Sequence, residues 1–162
     1  TKDTPENYYK AGIRLSFGQH GVSNVESYLE GTAAPSSYKD PKDTYTVTLP
    51  GSAVSVKWSG ADNEVNLERI ITQKWIAIFP LGLEAWAEHR RTGYPRLLPA
   101  VENKDPNNSV NVAIGPRRLP YPADEYNSNG ANIAKAVQML GGTDAAGTPL
   151  WWDAKDHSVE NN

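Results

Sequence analysis

Residues 62–91 read DNEVNLERIITQKWIAIFPLGLEAWAEHRR, and this stretch decides the fold class. Leu67, Ile70, Ile71, Trp75, Ile78, Phe79, Gly82 and Trp86 recur three or four positions apart, the spacing that puts side chains on one face of an α-helix. Pro80 interrupts the run, because it has no N–H to bond Ile76 and its ring crowds that carbonyl. The stretch therefore predicts either a kinked helix or two helices in succession, ending at Thr92-Gly93-Tyr94-Pro95, with Gly93 suited to a left-handed C-terminal position. Ile76, Ala77 and Leu83 lie off the stripe, which predicts burial on more than one side and places Trp75 and Trp86 in the core.

Toward the N-terminus a helix is expected over Pro5–Gly18, with Thr4 as N-cap and Pro5 where a missing N–H costs nothing. A short helix follows over Asn24–Glu30, started by a Ser23/Glu26 capping pattern and stopped by Gly31. Residues 32–60 read as a loop and β excursion. Two strands, Tyr45–Leu49 and Val54–Trp58, would flank Pro50-Gly51-Ser52. Toward the C-terminus the chain is irregular from Pro95 to Tyr121, with one helical turn expected over Pro122–Tyr126. A helix follows over Gly130–Leu140, closed by Gly141-Gly142. The helices Pro5–Gly18 and Gly130–Leu140 are expected to pack against the long central one, and residues 155–162 are read as a disordered tail.

Composition narrows the function. With 16 basic and 19 acidic residues among 162, a net charge of −3 gives no electrostatic drive toward nucleic acid. No apolar run approaches the about 18 residues a spanning helix needs. Cysteine is absent, which excludes disulfides, thiol catalysis and cysteine-ligated metal centres. The three histidines, His20, His89 and His157, have no metal-ligand spacing; Ala87-Glu88-His89 lacks the second histidine of a zinc motif. Gly141-Gly142-Thr143 ends a helix, whereas a phosphate cradle precedes one. No catalytic residue, metal site or cofactor is indicated.

Several stretches, taken together, resemble a known family. They are Tyr8–Phe17, Glu68–Ala77 continuing through Gly82–Glu88 into Arg90–Pro95, Pro116–Pro122 with Glu125, Tyr126 and Asn129, Leu140-Gly141-Gly142, and Leu150-Trp151-Trp152-Asp153. In order and spacing they are similar to the C-terminal portion of the SusD/RagB family, closest to its SusD-like_2 branch. His89 departs from the pattern, where the family more often carries an aromatic. The resemblance implies a mainly α, tetratricopeptide-related helical scaffold with long irregular loops and a small β-hairpin excursion. It implies an outer-membrane, surface-exposed lipoprotein that binds an oligosaccharide, or in some branches a peptide, and partners a SusC-like TonB-dependent transporter. Contact with the membrane would be only through an N-terminal lipid anchor. That anchor and the N-terminal half would lie outside these 162 residues, in which case the long helix should expose apolar surface or drive oligomerisation.

The remaining candidates divide by chemistry. Glu84 and Glu88 share a helix face with Arg91 one turn beyond, a pattern that suits an ion-pair network; Arg90 and Arg91 also complement the negative helix C-terminus. Arg117 and Arg118 are read as ties from an irregular segment to carboxylates or helix ends, and Trp151 and Trp152 as packing a tail onto the body. With Trp75, Trp86 and Tyr94 these are structural motif residues. Sugars bind by stacking their C–H faces on exposed aromatic rings. Tyr38, Tyr45 and Trp58, in or beside the irregular excursion, are the ligand-binding candidates. Scaffolding within an uptake complex is the alternative role.

Overall fold

The computed structural model describes residues 3–35, 37–49, 54–60, 62–104, 109–112 and 115–153. In chain order the elements are α1 (Pro5–Gln19), α2 (Val25–Leu29), β1 (Ser37–Lys39), β2 (Thr46–Thr48), α3 (Asn63–Ala77), α4 (Gly82–Thr92), α5 (Ala123–Ser128) and α6 (Gly130–Leu140). The chain is mainly α, with one two-stranded antiparallel sheet among the described residues.

Local chemistry explains most boundaries. The Thr4 side chain accepts from the Asn7 amide at the start of α1, and Asp62 accepts from the Val65 amide at the start of α3. Gly93 and Gly141 close α4 and α6 in the left-handed conformation, with φ of 78° and 70°. Pro80 resolves the central stretch into two helices. The turn between them is held by hydrogen bonds from the Leu81 and Gly82 amides to Ile78 and Pro80 carbonyls. At α2 the expected cap is not used: Asn24, at φ 67°, occupies the N-cap position without a side-chain hydrogen bond. Glu26 turns instead to Arg14 of α1, at 2.7 Å.

The core gathers Tyr9 and Ile13 of α1 with Leu29 of α2, and Phe17, Val25, Tyr28, Val56 and Trp58 pack around them. The segment 54–58 is not a strand. It is laid on this core by a Tyr9 hydroxyl donating to the Val56 carbonyl at 2.7 Å and by the Lys57 amide donating to Gly31. Burial pushes the Tyr9 hydroxyl up to about 12, so it stays a donor at any ordinary pH. Arg69 of α3 reaches the same segment, donating to the Ser55 carbonyl at 3.2 Å. The strand that pairs with β2 is Ser37–Lys39, in a stretch read from sequence as loop; Ser37 faces Thr48, Tyr38 faces Val47 and Lys39 faces Thr46.

The central helices are less covered than their pattern predicts. Ile71 is buried, but Trp75 is 40% exposed and Phe79 85% exposed; Ile70, Ile76, Leu81 and Leu83 also face solvent. The stripe therefore splits between an inner line and an open apolar face, and Trp75 is not a core residue. Helix α6 packs on α5 rather than on α3 or α4. The expected turn over Pro50-Gly51-Ser52 and the expected tail at 155–162 lie outside the described residues.

Candidate functional site

The three aromatic candidates of the excursion do not converge. Trp58 packs half-buried on Tyr9, with ring centroids 5.2 Å apart. Tyr38 and Tyr45 are elsewhere, on the hairpin. Tyr38 lies opposite Val47, and Tyr45 is two residues from Val47, so the alternation of an extended chain puts all three on one face. The two rings stand 6.2 Å apart, tilted by 48°, and are 42% and 40% exposed. Among the described residues neither strand packs against a helix, so the hairpin projects from the helical body.

The hairpin connection is self-contained. The Asp40 carboxylate accepts from the Lys42 and Thr44 amides and from the Thr44 hydroxyl at 2.6 Å, an Asx-type turn that also holds the carboxyl below its usual range. Asp43, left-handed at φ 59°, accepts an ion pair from Lys39 at 2.5 Å. Each charge of this turn has a partner except the Lys42 ammonium, for which the described residues give none.

A second cluster joins α4 to the C-terminal segment. The Arg90 guanidinium lies between two indoles, 3.7 Å from the Trp86 ring centre and 4.6 Å from that of Trp152. It donates to the Arg117 carbonyl at 2.5 Å, and Arg117 returns a bond to the Arg90 carbonyl at 3.1 Å. Arg117 also grips Asp153 through two nitrogens, one of them at 2.6 Å. These groups are buried, where a charge is tolerated only when paired and hydrogen-bonded. Beside them Asp144 accepts from Arg118, from the Tyr121 amide and from the Tyr126 hydroxyl. Burial works to raise the Asp144 carboxyl, but the Tyr126 and Arg118 bonds outweigh it and hold the group below the ordinary aspartate range.

The other motif residues form a surface network. Lys74 bridges Glu84 and Glu88, both at 3.1 Å, and Arg91 pairs with Glu88 at 2.7 Å, tying α3 to α4. Tyr94 is buried, its hydroxyl donating to Glu64 at 2.9 Å. Trp151 is 91% exposed and does not pack the tail; Trp152 does, on Arg90. Arg90, in the last turn of α4, thus also reaches both indoles and the Arg117 carbonyl. Sequence reasoning did not single out Asp144 or Asp153 as partners; the Arg117-Arg118 pair, needing two acceptors, was the available signal.

Among the described residues, concavities lie on both sides of α3. A mostly apolar groove of about 270 Å³ runs between α1 and α3, lined by Tyr8, Ile13, Phe17, Ile70 and Ile76. Another of about 380 Å³ lies between α3 and the segments 33–35 and 54–56. Among the described residues no three His, Cys, Asp or Glu side chains gather as metal ligands would, and no helix is long and apolar enough to cross a membrane.

Comparison with known proteins places this architecture. Residues 1–153 match the family model SusD-like, described as Susd and RagB outer membrane lipoprotein. Among solved structures, a SusD homolog from Bacteroides thetaiotaomicron shares 46% identity at a TM-score of 0.85, over 93% of this chain and 33% of its own. A chitin-binding SusD homolog from Flavobacterium johnsoniae shares 41% identity at 0.85, over 95% of this chain and 32% of its own. A SusD homolog from Bacteroides uniformis shares 49% identity at 0.85, over 92% and 31%. The chain spans about a third of the length of these relatives. No curated protein matches. With its helical scaffold and a family match over nearly its whole length, the chain belongs to the SusD-like family of outer membrane lipoproteins.

Proposed function

We propose that the protein is a non-enzymatic nutrient-binding component at the outer membrane, capturing an oligosaccharide and delivering it to a SusC-like TonB-dependent transporter. The observation that carries this reading is the 41% identity, across 95% of the chain, to a SusD homolog that binds chitin. The local chemistry is consistent with binding rather than catalysis. Glu84, Glu88, Asp144 and Asp153 are held in ion pairs, and a glycosidase needs two carboxyl groups facing a cleft with their protons free to move.

A scaffolding role is the second reading, and the open apolar face of Trp75, Ile76, Phe79, Leu81 and Leu83 favours it. Calorimetry of the protein against purified glycans and peptides separates the two. Saturable binding of one glycan class is the expected result. Binding of peptides alone, or of nothing while the transporter still associates, overturns it.

A further inference from the structure

We infer that the projecting face of the β1–β2 hairpin, built by Tyr38 and Tyr45, is a contact site for a neutral oligosaccharide. This rests on the glycan-binding reading and assigns part of that site to the hairpin.

A two-stranded hairpin is at best marginally stable in water on its own. This one keeps both tyrosines on one face, 40% or more exposed, and lends neither ring to the helical core. A chain selecting only for hairpin stability gains little from this, since aromatic rings contribute most when packed and desolvated. A face made of two neighbouring rings with their hydroxyls at the edge is what a run of pyranose units requires: apolar C–H faces to stack and polar rims to hydrogen-bond.

Size and charge select the occupant. Each tyrosine side chain offers roughly 150–250 Å² in all, of which about 40% is open here; two such rings fall well short of the roughly 800 Å² per partner of a stable protein interface. The carboxylates of the turn are already engaged. Asp40 is bound by Thr44 and by two amides, and Asp43 by Lys39. Lys39 is held by Asp43, so the Lys42 ammonium is the one cation of the turn without a partner among the described residues, and a single ammonium is a point charge rather than the two-pronged fork that selects a carboxylate. A small, uncharged ligand with flat apolar faces fits these terms, and the chitin-binding relative matches 95% of the chain that carries the hairpin.

The test is calorimetric titration of the protein with neutral hexasaccharides (chitin-, cellulose- and starch-derived) and with a polyuronate of matched length. Wild type, Tyr38→Ala/Tyr45→Ala and Tyr38→Phe/Tyr45→Phe are compared, and circular dichroism checks that each is folded. A neutral hexasaccharide should bind wild type, bind the alanine pair about tenfold or more weakly, and bind the phenylalanine pair within about threefold of wild type. Unchanged binding by a folded alanine pair overturns the hairpin site and leaves the glycan reading standing. Stronger binding of the polyuronate overturns the neutral assignment. Failure of wild type to bind any glycan overturns the glycan reading, and this inference with it.

Discussion

Around α4, aromatic rings enclose a cation: Trp86 and Trp152 flank Arg90, whose guanidinium and carbonyl both bond to Arg117, which in turn holds Asp153. On the hairpin, Tyr38 and Tyr45 meet each other and otherwise face water, above a turn whose ion pair is exposed. Both regions combine aromatic and charged residues. What separates them is desolvation. Buried, each group depends on every other, and loss of one strands the rest. Exposed, each group is nearly independent and can be lost without harm to the fold. The first arrangement determines stability; the second is free to serve recognition.

The largest effect should come from Arg117→Ala, which takes from buried Asp153 the guanidinium that grips it through two nitrogens. A loss of about 3–5 kcal/mol in urea denaturation is expected, and a loss below about 1 kcal/mol would erase the contrast between the two regions. Gly147→Ala comes next, because its Cβ would stand 2.2 Å from the Ser109 carbonyl oxygen, a backbone atom that cannot swing aside. About 1–3 kcal/mol is expected, read as a lower urea midpoint at unchanged slope. Arg90→Lys keeps the charge and loses the planar stack between the indoles, and should cost about 1–2 kcal/mol.

Acid sharpens the comparison further. The Asp144 carboxyl is depressed in the folded protein, so its contribution is complete above the unfolded aspartate range and is lost as pH falls through the lower folded value. Asp144→Asn should therefore flatten the acid limb of a stability-against-pH curve while leaving its neutral limb parallel to wild type. Last, Tyr38→Ala with Tyr45→Ala should change stability by less than about 1 kcal/mol, the smallest change of the series. A large loss there would move the hairpin into the stabilising class and remove its freedom to bind.

Much of the helical scaffold was legible in local chemistry. The Thr4 cap, the break at Pro80 and the glycines 93 and 141 each act through their own backbone, so α1, α3, α4 and α6 lie where the sequence puts them. The hairpin's partner strand was not legible, because Ser37-Tyr38-Lys39 has no alternation of its own and two neighbours could have paired with Thr46–Thr48. The Asp40 turn decides between them through side-chain bonds that periodicity does not register. Burial was the weakest inference. A helical stripe states which residues share a face, not whether anything covers it, and Trp75, Ile76 and Phe79 share a face that stays open. The Arg90–Trp152 stack joins residues 62 positions apart, beyond the reach of any local pattern. Of the ligand candidates, the sequence brought Tyr38, Tyr45 and Trp58 together in one excursion. The fold divides them between the hairpin and the core around Tyr9.

The reciprocal bonds between Arg90 and Arg117 also constrain how this protein can change by descent. Each guanidinium reads the other's main chain, and Asp153 reads one of them, so a single substitution at position 90, 117 or 153 is expected to cost the bonds of its neighbours as well. Escape requires coordinated replacement, such as exchange of the charged set for apolar residues of similar volume, which buried ion clusters tolerate once all members go together. The cluster therefore couples its three positions energetically, whereas the hairpin, more than forty residues before Arg90, makes contacts that the helical body does not depend on.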